Sequence, residues 1–251
     1  MRKKYLFEYD MVFITILSVV LFIIPSLVVY GYYLVTREQS LNFLDQYFLN
    51  NIISDNIFRM IFTYLLFLVF IFLWMVLHEI IHGMFYIIKG AHKENIIYGA
   101  ALEKGVFYCR CGEYIFKENI MTSLLAPFIL IGLVTVILGM LFHSYLLMIL
   151  SVVNISGAAG DIAVFIFFLN QKDPNLRFME FGDSLTFVIE SYDDLSLTND
   201  KGVIFIKEIQ SDSELPMNDN RHKIQISRGS YAIIFLFIIL IAGLLAMSYF
   251  L

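Results

Sequence analysis

Charged residues are scarce in this sequence. Only 16% of its 251 residues are Asp, Glu, Lys or Arg, whereas 59% are hydrophobic and the mean hydropathy is +0.78. About a quarter of the residues of a soluble domain are charged, so the composition excludes an ordinary soluble protein. With a net charge of -5 and no basic patch, the chain also lacks the footprint of a nucleic-acid-binding protein. We therefore predict an integral membrane protein that is surrounded by the lipid bilayer and has no nucleic-acid partner.

Cysteine is also scarce, and the chain contains only Cys109 and Cys111. Their segment is predicted to lie in the cytoplasm, where thiols stay reduced, so no structural disulfide is expected. Together with His92 the pair could form a second metal site. A Cys-x-Cys pattern without a matching partner pair is weak evidence for zinc, and we favour inert strand residues.

Long apolar runs predict about five transmembrane helices. A helix needs roughly 20 apolar residues to cross a hydrocarbon core about 30 Å thick. Runs of this length cover residues 11–35, 57–89, 120–142, 145–169 and 230–250. No small-residue cleavage pattern follows the basic start of the chain, so the first run is interpreted as a retained anchor. The predicted fold class is a membrane all-α helical bundle.

Two regions between these spans are predicted to contain β structure. Residues 96–109 hold two β-prone runs around a turn at Glu103-Lys104-Gly105, which is typical of a hairpin. A second region contains further β-prone stretches and much of the remaining charge. The expected organisation is an anchor and external loop at 1–56, a transmembrane core at 57–169, a small cytoplasmic β-rich segment at 170–229 and a last transmembrane helix at 230–251.

The placement of Lys and Arg predicts the orientation in the membrane. With these spans, fifteen of the 17 basic residues lie on one side, and only Arg37 and Arg59 lie on the other. Basic residues near the spans collect on the cytoplasmic side. We therefore expect a multi-pass protein of the cell membrane with its N-terminus and residues 170–229 in the cytoplasm and its C-terminus outside.

The second predicted span contains a His-Glu-x-x-His motif at residues 78–82. Residues four apart share a helix face, so His78 and His82 can bind one zinc ion while Glu79 reaches a water beside it. Glu79 is the predicted general base for attack on a peptide carbonyl. Ionisable groups inside a span cost about 2.5 kcal/mol or more each, which favours a metal or a water-filled cavity. The alternative is a pair of buried histidines that hydrogen-bond to neighbouring helices.

Asp161 is the candidate for a third zinc ligand, which a catalytic site usually has. It is the only acidic residue of the fourth predicted span, and counting residues from the span ends places it at nearly the depth of His78. The small residues 157–160 would let this helix pack closely against the second. The alternative is an aspartate that caps a helix break after Gly160.

Three further residues are candidates for substrate binding. Asn154 could bind the substrate backbone or orient a metal ligand, and the alternative is a plain hydrogen bond between helices. Gly99 and Ala100 lie in the predicted hairpin, whose edge strand could pair with an extended substrate. The alternative for these two is a hairpin without a binding role.

Taken together, these motifs resemble the putative zincin peptidase family of small membrane proteins, which is distantly similar to site-2 proteases. The matching elements are residues 78–83, the hairpin from Tyr98 to Cys109, Ala126-Pro127-Phe128 and residues 156–161, within about residues 57–190. The resemblance implies zinc bound by His78, His82 and Asp161, with Glu79 as the base. It also implies a membrane protein or peptide as substrate, cleaved at or near the membrane. The sequence departs from site-2 proteases at Gly160, where those proteins have proline, and at Ile162.

Two other functions stay open at this point. One is a catalytically silent zinc-binding scaffold or regulatory protein, and the other is a transporter that uses intramembrane His and Asp as an ion path. The intact Glu79 favours a peptidase because a purely structural zinc site needs no base.

Overall fold

The computed structural model describes residues 2–36, 41–53, 55–102, 106–181, 186–192, 195, 203–211, 224–227, 230–231 and 233–235. The helices are α1 (Met11–Thr36), α2 (Phe43–Ile52), α3 (Ile57–Ile88), α4 (Lys117–Pro127), α5 (Val134–Leu141), α6 (Tyr145–Gly157) and α7 (Ala159–Asn170). A π-helical segment, Phe128–Leu133, joins α4 to α5. The strands are β1 (Lys3–Tyr9), β2 (Ile96–Ala101), β3 (Val106–Cys111), β4 (Ile115–Phe116), β5 (Arg177–Phe181), β6 (Thr186–Ser191), β7 (Val203–Ile209) and β8 (Ile224–Ile226).

Three helices are long and apolar enough to cross a membrane: α1, α3 and the continuous helix from Lys117 to Leu141. The pair α6 and α7 meets the same test as one span, although the two helices are bent by 48° at their junction. The count of about five spans is therefore not confirmed. The predicted last helix at 230–250 lies almost entirely outside the described residues.

Helix α3 is anchored at both ends. The Asn56 side chain caps its first turn by accepting hydrogen bonds from the backbone N–H groups of Phe58 and Arg59. At the other end, Gly90 adopts a left-handed φ of +98°, and the Ala91 N–H donates to the Tyr86 carbonyl at 2.9 Å. This closure is typical of a helix that stops at a glycine. The 32-residue helix carries the His-Glu-x-x-His motif in its second half.

The residues before the first helix form a strand that the sequence analysis did not predict. Strand β1 pairs antiparallel with both β6 and β7 inside a five-stranded sheet of order β4-β5-β6-β1-β7. Tyr5 and Phe7 are fully buried, and Phe7 packs on Phe167 of α7 at 5.2 Å between ring centroids. The N-terminus and strands from the 170–229 segment therefore lie at the same end of the molecule.

Two other expectations need correction. The supposed external loop at 37–56 contains helix α2, because Asn42 caps it and Asp45 accepts hydrogen bonds from the Tyr145 and Leu146 N–H groups at 2.7 and 2.9 Å. The hairpin of β2 and β3 is present, with its turn at 103–105 outside the described residues. However, β2 also pairs in parallel with β8, so it is the central strand of a three-stranded sheet. Gly99 and Ala100 thus do not lie on an edge strand.

Candidate metal centre

His78, His82 and Asp161 come together in the interior of the helical bundle. The Nε2 atom of His78 lies 3.1 Å from Asp161 Oδ2, and that of His82 lies 3.3 Å from the same oxygen. The two Nε2 atoms are 3.0 Å apart. One ligand atom from each residue thus lies within 4.8 Å of the others, and both histidines are buried. This is the only such group of three or more metal-binding side chains in the part of the chain that the structure describes.

The other ring nitrogen of each histidine has a protein partner. His82 Nδ1 lies 2.9 Å from the backbone carbonyl of Ser123 on α4, which can only accept, so Nδ1 carries the hydrogen. His78 Nδ1 lies 2.8 Å from Asn154 Oδ1 on α6. The Asn154 amide nitrogen donates to the Pro127 carbonyl at 3.2 Å, which fixes the oxygen of this amide towards His78. Each neutral ring therefore presents its Nε2 lone pair to the centre.

This arrangement fits a divalent cation. Two Nε2 lone pairs and a carboxylate oxygen converge within 3.3 Å, and none of these three atoms has a hydrogen to share when both rings are neutral. Two His nitrogens and one carboxylate are a common ligand set of catalytic zinc, and hydrogen bonds at the far nitrogens are typical of metal-binding histidines. The donor set therefore suits zinc and leaves room for a further ligand.

The bend between α6 and α7 positions Asp161. Helix α6 ends at Gly157 and α7 begins at Ala159, so Asp161 lies in the first turn of α7, where the helix dipole favours a carboxylate. Its side chain faces the histidines rather than capping the break. The predicted close packing at 157–160 does not occur at its glycines, because a Cβ added at Gly157 or Gly160 would meet nothing within 4 Å. Both glycines instead line an open cavity.

Glu79 lies in that same cavity, which has a volume of about 480 Å³. The cavity is also lined by His78, His82, Asn154 and Asp161. The carboxylate of Glu79 accepts a hydrogen bond from the backbone N–H of Cys109 on β3. A strand edge thus holds the carboxylate beside the three converging ligand atoms, with space for a substrate next to it.

Residues 60–175 match the family model described as putative zincin peptidase. No curated protein and no solved structure matches the chain. The zincin-matched region, residues 60–175, contains every side chain of the centre described above. This match supports a zinc metallopeptidase in general terms, and it confirms the family resemblance that the sequence motifs indicated.

The other predicted site residues have different positions. The side chain of Asn154 hydrogen-bonds to His78, a candidate metal ligand. Of its two predicted roles, this contact favours the orientation of a metal ligand over binding of the substrate backbone. Gly99 and Ala100 line a second cavity of about 310 Å³ that Glu79 also borders, together with Ile226 of β8. They are close to the motif but lie outside the wall of the main cavity.

The cysteines of the zincin-matched region are not arranged as a second metal site. Burial raises the pKa of the Cys109 thiol well above its usual value and that of Cys111 to about 12, which keeps both thiols protonated. His92, the third member of that alternative, lies instead beside Glu113, with Nδ1 3.0 Å from a carboxylate oxygen. These observations agree with the interpretation of inert strand residues.

Sequence reasoning missed several residues at the centre. The Ser123 carbonyl and the Cys109 N–H are backbone groups, which no sequence pattern reveals. Tyr9 and Glu180 line the main cavity from β1 and β5, outside the zincin-matched region. Glu180 is one of several acidic residues in a charged segment, and the sequence around it does not distinguish it from the others.

Gly83, directly after the motif, is required by close packing. A Cβ on this buried glycine of α3 would overlap the Tyr98 ring on β2. We expect Gly83→Ala to lower the free energy of unfolding by about 1–3 kcal/mol, as overpacking does, measured by thermal unfolding in detergent. Gly31→Ala, where a Cβ meets nothing within 4 Å, is the matched control and should not destabilise. Tyr98→Ala added to Gly83→Ala should restore part of the loss, and an undiminished defect would contradict this explanation.

Proposed function

We propose that this protein is an integral membrane zinc endopeptidase that cleaves membrane proteins or membrane-associated peptides. The observation that carries this proposal is the convergence of His78 Nε2, His82 Nε2 and Asp161 Oδ2 in a cavity beside Glu79. Among the described residues no other element combines metal-binding atoms with a carboxylate of suitable placement for a base. The match of residues 60–175 to the putative zincin peptidase family supports the same conclusion.

His78, His82 and Asp161 are the residues that would hold the metal. A zinc ion at this point supplies a Lewis acid that polarises a carbonyl and makes a water more acidic. The protein contributes the fixed orientation of the two imidazole rings through Asn154 and the Ser123 carbonyl. Such second-layer contacts hold the ligands in place and tune their affinity.

Glu79 is the proposed general base. It accepts a proton from the water that attacks the carbonyl carbon of the substrate and passes it to the nitrogen released when the C–N bond breaks. The backbone N–H of Cys109 orients the carboxylate, and its second oxygen can face the water. Proton transfer by a positioned side chain contributes typically about 10²–10⁴-fold to the rate.

The position of the cavity among apolar helices favours a substrate that comes from the membrane. The cavity is lined by residues of α1, α3 and α6; α1 and α3 expose many large apolar side chains on their outer surfaces, and α6 exposes Ile149. Peptide groups that enter such a site need hydrogen-bond partners there, because lipid offers none. The expected orientation, with the sheet end of the molecule in the cytoplasm, puts the cleavage site near the cytoplasmic leaflet.

Removal of the metal is the direct test. We expect the detergent-purified protein to cleave a quenched fluorescent library of apolar decapeptides, to lose this activity with a zinc chelator, and to regain it when zinc is added back. The same treatment of His78→Ala protein controls for contaminating proteases, because that variant should be inactive throughout. Cleavage that survives stripping of the metal would overturn the proposal.

A further inference from the structure

The second cavity, of about 310 Å³, differs from the main cavity in its chemistry. It is lined by residues of α3 and of the sheet formed by β2, β3 and β8, and most of its wall consists of aliphatic and aromatic side chains such as Phe72, Val76 and Ile226. Among the described residues that line it, Glu79 is the only charged one. The proposed reaction gives this cavity no role.

The spacing of residues on α3 explains why Glu79 borders both cavities. Phe72, Val76 and Ile80 follow one another at four-residue intervals, so they form an apolar stripe along one face of the helix. The two histidines of the motif form a different stripe, which faces the main cavity. Glu79 lies between the two stripes and belongs to the walls of both cavities. The proposed base is therefore placed at the border between the metal centre and the apolar cavity.

The opposite wall of the second cavity is formed by side chains of the sheet. Phe107 of β3 packs edge-on against Phe72, with 5.4 Å between the ring centroids, so its side chain points towards α3. Ala100 of β2 is the antiparallel partner of Phe107 and the parallel partner of Ile226. Because residues directly opposite each other project to the same face of a sheet, these three side chains all point towards α3. The methyl group of Ala100 fills little of the space beside its two bulkier neighbours.

An apolar side chain is the occupant that this wall fits best. A volume of about 310 Å³ is at the lower end of the roughly 300–1,000 Å³ that is typical of ligand pockets, so the cavity has room for a small group and not for a folded element. A polar group would lose its hydration there without gaining hydrogen bonds from most of the wall, whereas an apolar group gains by leaving water. A peptide whose scissile bond lies beside Glu79 would bring a neighbouring side chain to the entrance of this cavity.

We propose that the second cavity is the specificity pocket of the metal centre. It binds a large apolar side chain, of the size of leucine or phenylalanine, from a residue next to the scissile bond. This inference rests on the proposed function, because it names the substrate residue that the same centre selects. Val76 and Ala100 limit the size of the side chain that is accepted, since they line the cavity from the helix and from the sheet.

The residues found at the cleavage sites test this proposal. The zinc-loaded protein would digest a decapeptide library in which every position carries a mixture of residues, and mass spectrometry of the products would identify the residues on both sides of each cut. At one of these two positions we expect leucine and phenylalanine to be preferred at least about tenfold over alanine and over charged residues. Equal cleavage next to apolar and charged residues at both positions would overturn the proposal.

Two substitutions at Val76 should change this preference in opposite directions. Val76→Phe fills part of the pocket and should shift the preference about tenfold towards alanine and serine, whereas Val76→Ala enlarges the pocket and should shift it towards tryptophan. Val69→Phe is the matched control, because this valine is also half-buried on α3 and lines neither of the two cavities. It should keep the wild-type preference. A folding defect would lower all cleavage alike, so an unchanged preference in both Val76 variants would refute the specificity pocket.

Photocrosslinking tests the occupant of the pocket without turnover. Decapeptides that carry a diazirine analogue of leucine would be bound to the zinc-loaded Glu79→Gln protein and irradiated, and mass spectrometry would locate the modified residues. We expect crosslinks to Val76, Phe107 or Ile226, and an added Val76→Phe substitution should reduce them about tenfold. A phospholipid with a diazirine in its acyl chain is the comparison. Labelling of the same residues by this lipid that excess peptide does not displace would identify a lipid chain as the occupant and overturn the proposal.

These experiments distinguish a failure of the pocket from a failure of the proposed function. If the wild-type protein cleaves no member of the library while peptide crosslinks form in the second cavity, the proposed peptidase activity fails and the binding of an apolar side chain there is supported. If the protein cleaves peptides with zinc but gives no crosslink in the second cavity, the peptidase activity is supported and the specificity pocket is wrong.

Discussion

Replacing His82 by alanine is expected to abolish zinc binding by the purified protein, and His78→Ala and Asp161→Asn are expected to do the same. Each variant removes one of three atoms that converge within 4.8 Å, and zinc held by two protein ligands binds much more weakly. The loss in affinity should exceed the roughly 10–100-fold effect that is typical of second-layer changes. Asn154→Ala should show that smaller effect, because it frees the Nδ1 atom of His78 without removing a ligand.

Zinc content by inductively coupled plasma mass spectrometry, together with competition against a chelating dye, would measure these changes. His92→Ala is the matched control, since this histidine has a 79% exposed side chain whose ring nitrogen lies beside Glu113, away from the centre. Full zinc retention in both His78→Ala and Asp161→Asn would rule out the centre. Thermal unfolding of each variant would show whether a loss of bound zinc comes from misfolding.

The second large effect is expected for Glu79→Gln, which should bind zinc normally and lose about 10²–10⁴-fold in kcat. Glutamine keeps the shape of the side chain and its contact with the Cys109 N–H, but it cannot take a proton from water. Because the change acts on the chemical step, KM for the peptide library should move little. A control substitution, Glu113→Gln, changes a carboxylate outside the main cavity and should leave the kinetics intact.

Single-turnover kinetics on the peptide library would separate the chemical step from product release. Wild-type rates in a zinc-loaded Glu79→Gln protein would refute a mechanism in which Glu79 is the base. A wild-type protein that binds zinc tightly and cleaves no member of the library would instead favour the scaffold alternative. The two outcomes call for different interpretations, so both proteins need to be assayed with the same zinc loading.

Local sequence patterns predicted the parts of the fold that depend on neighbouring residues. The apolar run from Ile57 and its His-Glu-x-x-His spacing placed two imidazoles on one face of a helix, and α3 has that form. The β-prone runs around residue 104 predicted the hairpin of β2 and β3, which the structure contains. A lone acidic residue in an apolar span, matched in depth to His78, pointed to Asp161.

Patterns failed where an element depends on distant partners. Strand β1 has no clear alternation of apolar and polar residues, and seven residues beside a long apolar run do not reveal which strands they pair with. Strand β8 occupies one side of β2 from more than a hundred residues away, which removed the expected edge at Gly99. The 48° bend between α6 and α7 likewise occurs without a proline in either helix, so the usual sequence signal for a break is missing.

The sequence by itself determined long apolar spans and a His-Glu-x-x-His spacing in one helix, because hydropathy and helical spacing are properties of adjacent residues. Only the tertiary structure decided what surrounds that motif. The Ser123 carbonyl that orients His82, the amide of Asn154 turned towards His78 and the Cys109 N–H at Glu79 depend on how separate elements pack. The same holds for Tyr9 and Glu180, which line the main cavity from two strands of the five-stranded sheet.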